Sequence, residues 1–404
     1  MSLSNVTVAA SFSASDKARR NSQTAVYFAA FIALGLTIGS FGPTLPGLAA
    51  QTHSRLSEIS FLFTARSLGY VLGSFASGRL FDRVSGHRVM AGALVMMTLM
   101  MALVPLLPVL WLLFVVLLLL GVAESALDVG GNVLLVRVHG PKVGPFLNGL
   151  HFFFGVGAFL SPIIVAQFLF FDNGTRLSYW TLALLLPLVA VWLLQLPAPP
   201  IQNSLRSQQT SQSNHRLILL IALFMFLYVG AEASFGGWIY TYTVALKLSN
   251  ERTAAYLTSA FWGSLTFGRL LAIPLSVLLR PRIIMLTDLA GCLLSVAVII
   301  LWSGSFAATL TGTMGLGLSM ASLFPTTLAL AERRINITGQ VTGWFIVGAS
   351  TGAMLLPWLI GQFFETAGPR VTMFIMMTTL SIAAGVFVLM LSSYQAQRGE
   401  RQRQ

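Results

Sequence analysis

The chain reads as an all-α membrane protein whose twelve spans form two pseudo-symmetric six-helix bundles, and three observations lead there. Of its 404 residues, 56% are hydrophobic and only 9% charged, with mean hydropathy +0.81, whereas soluble domains carry about 25% charged residues. Its apolar segments are continuous, close to the ~20 residues that cross a hydrocarbon layer, and lack the alternation of an outer-membrane barrel. Short motifs of the first half also recur in the second, in the same order.

Taken along the chain, the first 24 residues are polar and Ser-rich, with Lys17, Arg19 and Arg20 just before the first apolar window. No short apolar stretch with a small-residue cleavage site precedes that window, so the first helix is expected to anchor the chain rather than leave as a signal. Spans are expected near 25–50, 57–80, 88–107, 110–137, 144–170 and 177–196, forming a first bundle over 25–196. The stretch "PAPPIQNSLRSQQTSQSNH", 197–215, has the Pro, Ser and Gln content of a linker. A second bundle over 216–394 then holds spans near 216–245, 253–279, 282–303, 306–332, 338–365 and 370–394, and 395–404 form a short tail.

The repeat pairs "SFG" at 40–42 with 234–236, Gly121 with "GLGLS" from Gly315, "GAFLSP" at 157–162 with "GAMLLP" at 352–357, and "GRL" at 78–80 with 268–270. Two duplicated six-helix halves are the plan of a rocking carrier, with a site at their interface near the midplane. Placing both termini inside puts Lys17, Arg19, Arg20, Arg79, Arg83, Arg88, Arg137 and Lys142 on that side in the first half. In the second it adds Arg206, Arg216, Arg269, Arg280, Arg282, Arg333, Arg334, Arg398, Arg401 and Arg403. Outside loops hold only Arg55, Arg176, Lys247, Arg252 and Arg370. Lys and Arg favour the cytoplasmic face, so both termini are expected in the cytoplasm, with the chain in the plasma (inner) membrane.

Composition also excludes. The net charge of +12 is scattered between apolar spans rather than gathered on one face, so a nucleic-acid partner is not expected. Cys292 stands alone, which leaves no intrachain disulfide and no cysteine metal cluster. No second histidine lies at metal-ligand spacing from His151, and no metal or other cofactor is expected. Nucleotide-binding loops and hydrolase motifs are missing, so the chain is not read as an enzyme.

The informative residues are charges where oil is expected. Glu124 and Asp128, in "GVAESALDVGGN" (121–132), follow an almost pure Leu/Val run and stack one turn apart on one helix face. A charge at the bilayer centre costs about 2.5–3.5 kcal/mol, so these acids imply a wet cavity, a cation or a partner. Asn132 extends their face, while Arg66, Tyr70, Gly73 and Ser77 share one side of the second helix at a depth where Arg66 can pair with Glu124. That pair is either a structural bridge between two helices or part of a coupling site. In the second case Glu124 or Asp128 binds the ion and Arg66 changes partner as the cavity opens. A buried carboxylate suits this because burial and a nearby cation push its protonation in opposite directions.

His151 and Asn148 share a face of the fifth helix, where the histidine either packs against a carbonyl or meets substrate hydroxyls and relays a proton to Asp128. In the seventh helix, "EASFGGWIYTY" offers Glu232 and Trp238 to a cavity, with Gly236–Gly237 expected to loosen the helix. Tyr240 and Tyr242 fit an interfacial aromatic belt. Tyr256, Trp262, Phe324, Pro325 and Thr326 either pack or contact substrate. Asp288 is expected to pair with Arg282 or a loop arginine, and Glu332 with Arg333 or Arg334.

After the second span comes "GRLFDRVSGHR", 78–88. Gly78 permits close packing, and Asp82 can cap a helix and pair with arginines, making a latch that must break when the cytoplasmic side opens. The loop resembles the signature loop of the major facilitator superfamily through Gly78, Asp82, Arg83, Gly86 and Arg88. It carries two residues, Val84 and Ser85, between Arg83 and Gly86, where the usual pattern has one. "LDVGGNVLLVRV" (127–138), "NGLHFFFGVGAFLSP" (148–162) and "YVGAEASFGGWIYTYTV" (228–244) look like the sodium-dependent glucose transporter-like branch, near the fucose permeases.

The resemblance implies the major facilitator fold and monomeric, cation-coupled uptake of a sugar or related polyol, with H⁺ or Na⁺ as the coupling ion. Under it Asn132, His151, Asn148, Glu232, Trp238, Tyr70 and Trp262 would bind substrate, and Glu124, Asp128 and Arg66 would couple the ion. Efflux of drugs or lipophilic compounds by cation antiport is the alternative on the same fold. It predicts an acidic, aromatic cavity without a compensating Arg66.

Overall fold

The computed structural model describes residues 14–200, 215–332, 335 and 339–403, and among these there is helix but no strand. Among the described residues, twelve helices are long and apolar enough to cross a membrane. In the first half they are span 1 (Asp16–Gln51), span 2 (Leu56–Phe81), span 3 (Gly86–Leu106), span 4 (Leu110–Lys142), span 5 (Gly144–Phe168) and span 6 (Gly174–Gln195). In the second they are span 7 (His215–Ala245), span 8 (Glu251–Leu278), span 9 (Pro281–Leu301), span 10 (Phe306–Glu332), span 11 (Val341–Phe364) and span 12 (Val371–Ser392). The bounds follow the apolar windows, except that span 1 starts earlier. Past span 12 the helix runs on through the expected tail to Arg403. Most of the expected linker, 201–214, lies outside the described residues.

Local chemistry sets several helix ends. Asn250 Oδ1 accepts from the Thr253 N–H (2.8 Å) at the start of span 8, satisfying a donor the helix cannot. Pro281 occupies the first turn of span 9, where its missing N–H costs nothing. Span 4 passes into its following turn through Gly140 at φ +55°. Span 10 is not the single helix its hydropathy suggests, because it breaks at Ala321–Ser322 between helices Phe306–Met320 and Leu323–Glu332.

The packing repeats. Spans 1 and 5, 2 and 4, and 3 and 6 pair in the first half, and spans 7 and 11, 8 and 10, and 9 and 12 pair in the second. One apolar core lies almost wholly in spans 1–6 and another almost wholly in spans 7–12. Helices in lipid gain association energy from close contact more than from leaving water, so contact-line glycines carry the geometry. A Cβ on Gly121 would strike the backbone of Arg66 and Tyr70, and a Cβ on Gly317 would strike the backbone of Phe261 and Leu265. The partner of Gly121 is therefore Gly317 rather than Gly315.

Gly157 and Gly352 are likewise equivalent, which supports the "GAFLSP"/"GAMLLP" match. The "GRL" match is out of register. Gly268 packs as Gly73 does, while a Cβ on Gly78 meets nothing within 4 Å. Gly121→Val would force spans 2 and 4 apart, and it is expected to remove the monodisperse folded peak in detergent size-exclusion chromatography. An unchanged peak would show that the contact yields.

The halves meet mainly toward the face opposite the chain termini, here the far face. The two "SFG" copies touch, with Gly42 packed on the carbonyl of Gly236. Gln362 Nε2 donates to Ser57 O (2.8 Å) and Ser60 Oγ (3.1 Å), and the Leu56 N–H donates to Glu365 Oε1 (3.0 Å). Arg252 Nη2 donates to Gln167 Oε1 (2.7 Å). The contact furthest toward the termini in this set is Arg269 Nη1 donating to His151 O (3.4 Å). Nearer the termini, Cβ atoms on Gly78 and Gly343 would meet nothing within 4 Å. The crevice between the halves thus opens on the side of the termini.

Candidate functional site

Span 4 delivers its acids to span 2 because Gly121, Gly69 and Gly73 bring the two backbones together just beside them. Arg66 Nε donates to Glu124 Oε2 at 2.8 Å and its Nη2 donates to Glu124 Oε1, a bidentate pair in which the side chains are 12% and 1% exposed. The guanidinium also lies over the Phe41 ring, 5.4 Å from its centroid. One turn further along span 4, the arrangement changes. Tyr70 O–H donates to Asp128 Oδ2, and Asn132 Nδ2 donates to Asp128 Oδ1 (3.1 Å) and to the Asp128 backbone carbonyl (2.9 Å). Among the described residues Asp128 has no ion-pair partner.

Of the two acids, Glu124 is therefore committed to a cation, and Asp128 is held by two neutral donors. Asp128, Tyr70 and Asn132 are partly exposed, whereas Glu124 is buried. The second bundle shows what the shared packing itself requires. Gly317 sits on Phe261 and Leu265 as Gly121 sits on Arg66 and Tyr70, and Met320 follows Gly317 as Glu124 follows Gly121. The same helix crossing is thus made with apolar side chains, so the charges of spans 2 and 4 are not needed to form it.

His151 and Asn148 are exposed. The His151 ring meets Phe31 edge-on at 6.0 Å and its carbonyl accepts from Arg269, but no hydrogen bond joins it to Asp128, so of the two alternatives the relay is not assembled. Glu232 accepts from the Tyr228 hydroxyl one turn earlier in span 7 and is partly buried. Trp262 is 6% exposed and meets Phe154 edge-on at 6.4 Å, across the interface of the halves.

Several expectations are corrected. Trp238 does not line the open crevice. It is fully buried on the far side, between Phe63 and Phe364, with Nε1–H donating to Pro357 O (2.9 Å). Tyr240 and Tyr242 are buried as well, not part of a lipid-facing belt. Gly236–Gly237 does not break span 7, which is one helix from His215 to Ala245. Those glycines instead admit Trp262 and Phe63. Gly78 packs on nothing. Asp288 accepts from Ser322 Oγ at the break in span 10, rather than pairing with Arg282. Arg333 and Arg334, the expected partners of Glu332, lie outside the described residues.

In the loop after span 2, Asp82 is exposed and faces Arg137 at 3.9 Å within the same half, Gly86 packs on Leu134, and Arg83 and Arg88 are exposed. Sequence reasoning missed Arg269 as a contact between the halves, counting it only among the inside cations although its helix continues nine residues beyond it to Leu278. That depth was the available signal. It also missed His87, held by Tyr27 Oη (2.8 Å) and Leu196 O (2.9 Å).

Comparison with known proteins agrees with this architecture. The family profile described as Major Facilitator Superfamily matches residues 26–348. Sodium-dependent glucose transporter 1 of Xenopus laevis is 30% identical over 399 residues, covering 91% of this chain and 81% of that protein. Major facilitator superfamily domain-containing protein 4A of Pongo abelii is 29% identical, covering 87% of this chain and 88% of that protein. Among solved structures, a point mutant of the nucleoside transporter NupG superposes with TM-score 0.77 at 14% identity, covering 92% of this chain and 99% of that one. A bacterial homologue of the human lysosomal transporter Spinster, in an inward-facing and unoccupied conformation, gives TM-score 0.74 at 12% identity, covering 94% of this chain and 97% of that one.

Proposed function

The chain belongs to the major facilitator superfamily, and from that premise we propose that it is a cation-coupled symporter of a sugar or related neutral, hydroxyl-rich solute, working by alternating access. The observation that carries this reading is the division of labour in span 4, where Glu124 is neutralised by Arg66 and Asp128 is not neutralised by any cation among the described residues. A carboxylate gripped by a tyrosine hydroxyl and an amide, beside an opening crevice, can exchange a proton or Na⁺ when that crevice changes sides. Arg66 keeps the neighbouring charge silent, and the same pair counts against efflux of lipophilic cations, because it leaves Glu124 with no free negative charge to attract them. The names of the curated relatives support a sugar as cargo.

Positive charge concentrated on the side of the termini orients that side to the cytoplasm, so the crevice described above faces inward in a plasma (inner) membrane. Asn148 and His151 from span 5, Asn132 from span 4 and Glu232 from span 7 supply hydrogen-bonding groups for a polyol. Trp262 offers an apolar face to its ring. Trp238 belongs to the outer seal and enters the substrate path only when that seal parts.

Vesicles holding the purified protein test this with a labelled hexose panel under separately imposed Na⁺ and pH gradients. One gradient is expected to drive accumulation of at least one sugar above equilibrium. Equal internal and external levels under both gradients, for every sugar, would end the proposal.

A further inference from the structure

On the side of the termini, away from the crevice, a half-open cavity of about 510 Å³ is walled by three segments: the start of span 1, the end of span 4, and Pro197–Pro200 after span 6. That volume falls within the range of small-ligand sites. Its lining carries Arg19, Arg20, Arg137 and Lys142 together with His139, and no carboxylate. Two acids touch these cations from other directions: Asp16 pairs with Arg19 at 3.2 Å, and Asp82 stands 3.9 Å from Arg137.

The side chains are arranged rather than loose. The Thr24 hydroxyl donates to Arg20 O (2.9 Å), so the 2.8 Å contact between Thr24 Oγ1 and His139 Nε2 is donated by the imidazole. That tautomer leaves Nδ1 to accept from Arg20 Nη2 (3.4 Å). Phe146 stacks on the His139 ring at 3.5 Å. Gln23 Nε2 donates to Pro197 O (2.7 Å), fixing the third wall. Arg137 is only 7% exposed, with Nη2 donating to Phe81 O (3.1 Å) while its Nη1 is buried with no hydrogen-bond partner. A buried guanidinium nitrogen with no acceptor is costly, and negative charge in the cavity that Arg137 lines would offset that cost at short range.

We propose that this cavity binds a phosphate-bearing anion, either the headgroup of an anionic phospholipid or a soluble phosphate. Arginine forks match phosphate oxygens in pairs, and lysine adds a point charge. The position, at the terminal turns of spans 1 and 4, is the level at which basic clusters meet anionic headgroups. Occupancy would tie the first turn of span 1 to the turn after span 4 and to the chain leaving span 6. This site is independent of the cargo and ion assigned above.

Two arms identify the source, both on the full-length protein. Native mass spectrometry compares retention of phosphatidylglycerol and phosphatidylcholine, and a thermal-shift assay titrates inorganic phosphate against chloride at constant ionic strength. The wild type is expected to retain phosphatidylglycerol selectively, or to gain thermal stability with phosphate, or both. The first result alone identifies a lipid headgroup and the second alone a soluble phosphate. Arg19→Ala/Lys142→Ala removes two charge-assisted contacts and is expected to weaken the response by about tenfold or more. Arg19→Lys/Lys142→Arg should restore it, separating charge from folding. Neither lipid selectivity nor a phosphate shift in the wild type, or an undiminished response in the alanine variant, overturns the site.

Discussion

Asp128→Asn is expected to abolish concentrative uptake while leaving a folded protein that still equilibrates substrate across the membrane. Asparagine matches aspartate in volume and keeps one acceptor oxygen, so the Tyr70 hydroxyl retains a partner. Asn132 can turn its amide to accept from the new NH₂, losing its bond to the Asp128 carbonyl. The net cost is on the order of 1 kcal/mol. Coupling is a different matter, because an amide neither takes up a proton at working pH nor neutralises Na⁺. The accumulation ratio should fall to one, while exchange of labelled for unlabelled substrate stays within about a few-fold of wild type, as a cost of that size allows. Vesicle uptake with and without the driving gradient, beside counterflow, reads both numbers. Gradient-driven accumulation by Asp128→Asn at the wild-type ratio would remove this residue from the coupling step.

The parts of this site that could be read from the sequence are those governed by cost. Carboxylates at the depth of Glu124 and Asp128, and a guanidinium at that of Arg66, are too expensive in hydrocarbon to lack a partner. Helical spacing then suffices to place Asn132 on the same face and Tyr70 opposite. The Arg66–Glu124 pair was expected from depth; that Asp128 would be left to Tyr70 and Asn132, two neutral donors, was not legible. That choice depends on the register of spans 2 and 4, which the backbone contacts of Gly69, Gly73 and Gly121 set to within a residue.

The location of Trp238 was hidden for a related reason. Its burial comes from Phe63 in one half and Phe364 in the other, so it belongs to the interface between the halves rather than to span 7 alone. The break in span 10 falls at Ala321–Ser322, four residues before Pro325, whose missing N–H and ring disfavour the helical bond to the Ala321 carbonyl. That signal was in the sequence but was not used, and Asp288 accepts from Ser322 at the same place. By contrast the twelve spans were plain, because length and continuous hydropathy decide them.

The Arg66–Glu124 pair should behave oppositely to Asp128 when one member is removed. Glu124→Gln leaves a guanidinium beside Phe41, 12% exposed, with no counter-charge, and Arg66→Met leaves a fully buried carboxylate. Breaking one side of a buried ion pair costs about 3–5 kcal/mol, because the remaining charge stays desolvated. Both variants are therefore expected to lose apparent thermal stability and yield before transport can be measured.

Removing both charges reverses the expectation. The counterpart crossing in the second bundle is made with Phe261 and Met320, and replacing a buried pair by apolar side chains of similar size is often neutral or stabilising. Arg66→Met/Glu124→Met should thus recover most of the wild-type melting temperature, giving a large favourable coupling energy in the double-mutant cycle. Transport by the stable double variant then separates the two roles this pair can have. If Arg66 only silences Glu124, coupled uptake survives without either residue. If Arg66 moves from Glu124 toward Asp128 as the crevice changes sides, the double variant is as stable as wild type yet no longer concentrates substrate, and the second outcome is the one expected. Release of the coupling ion from Asp128 needs an incoming cation to displace it, and Arg66, paired with the acid one turn away, is positioned to supply that charge.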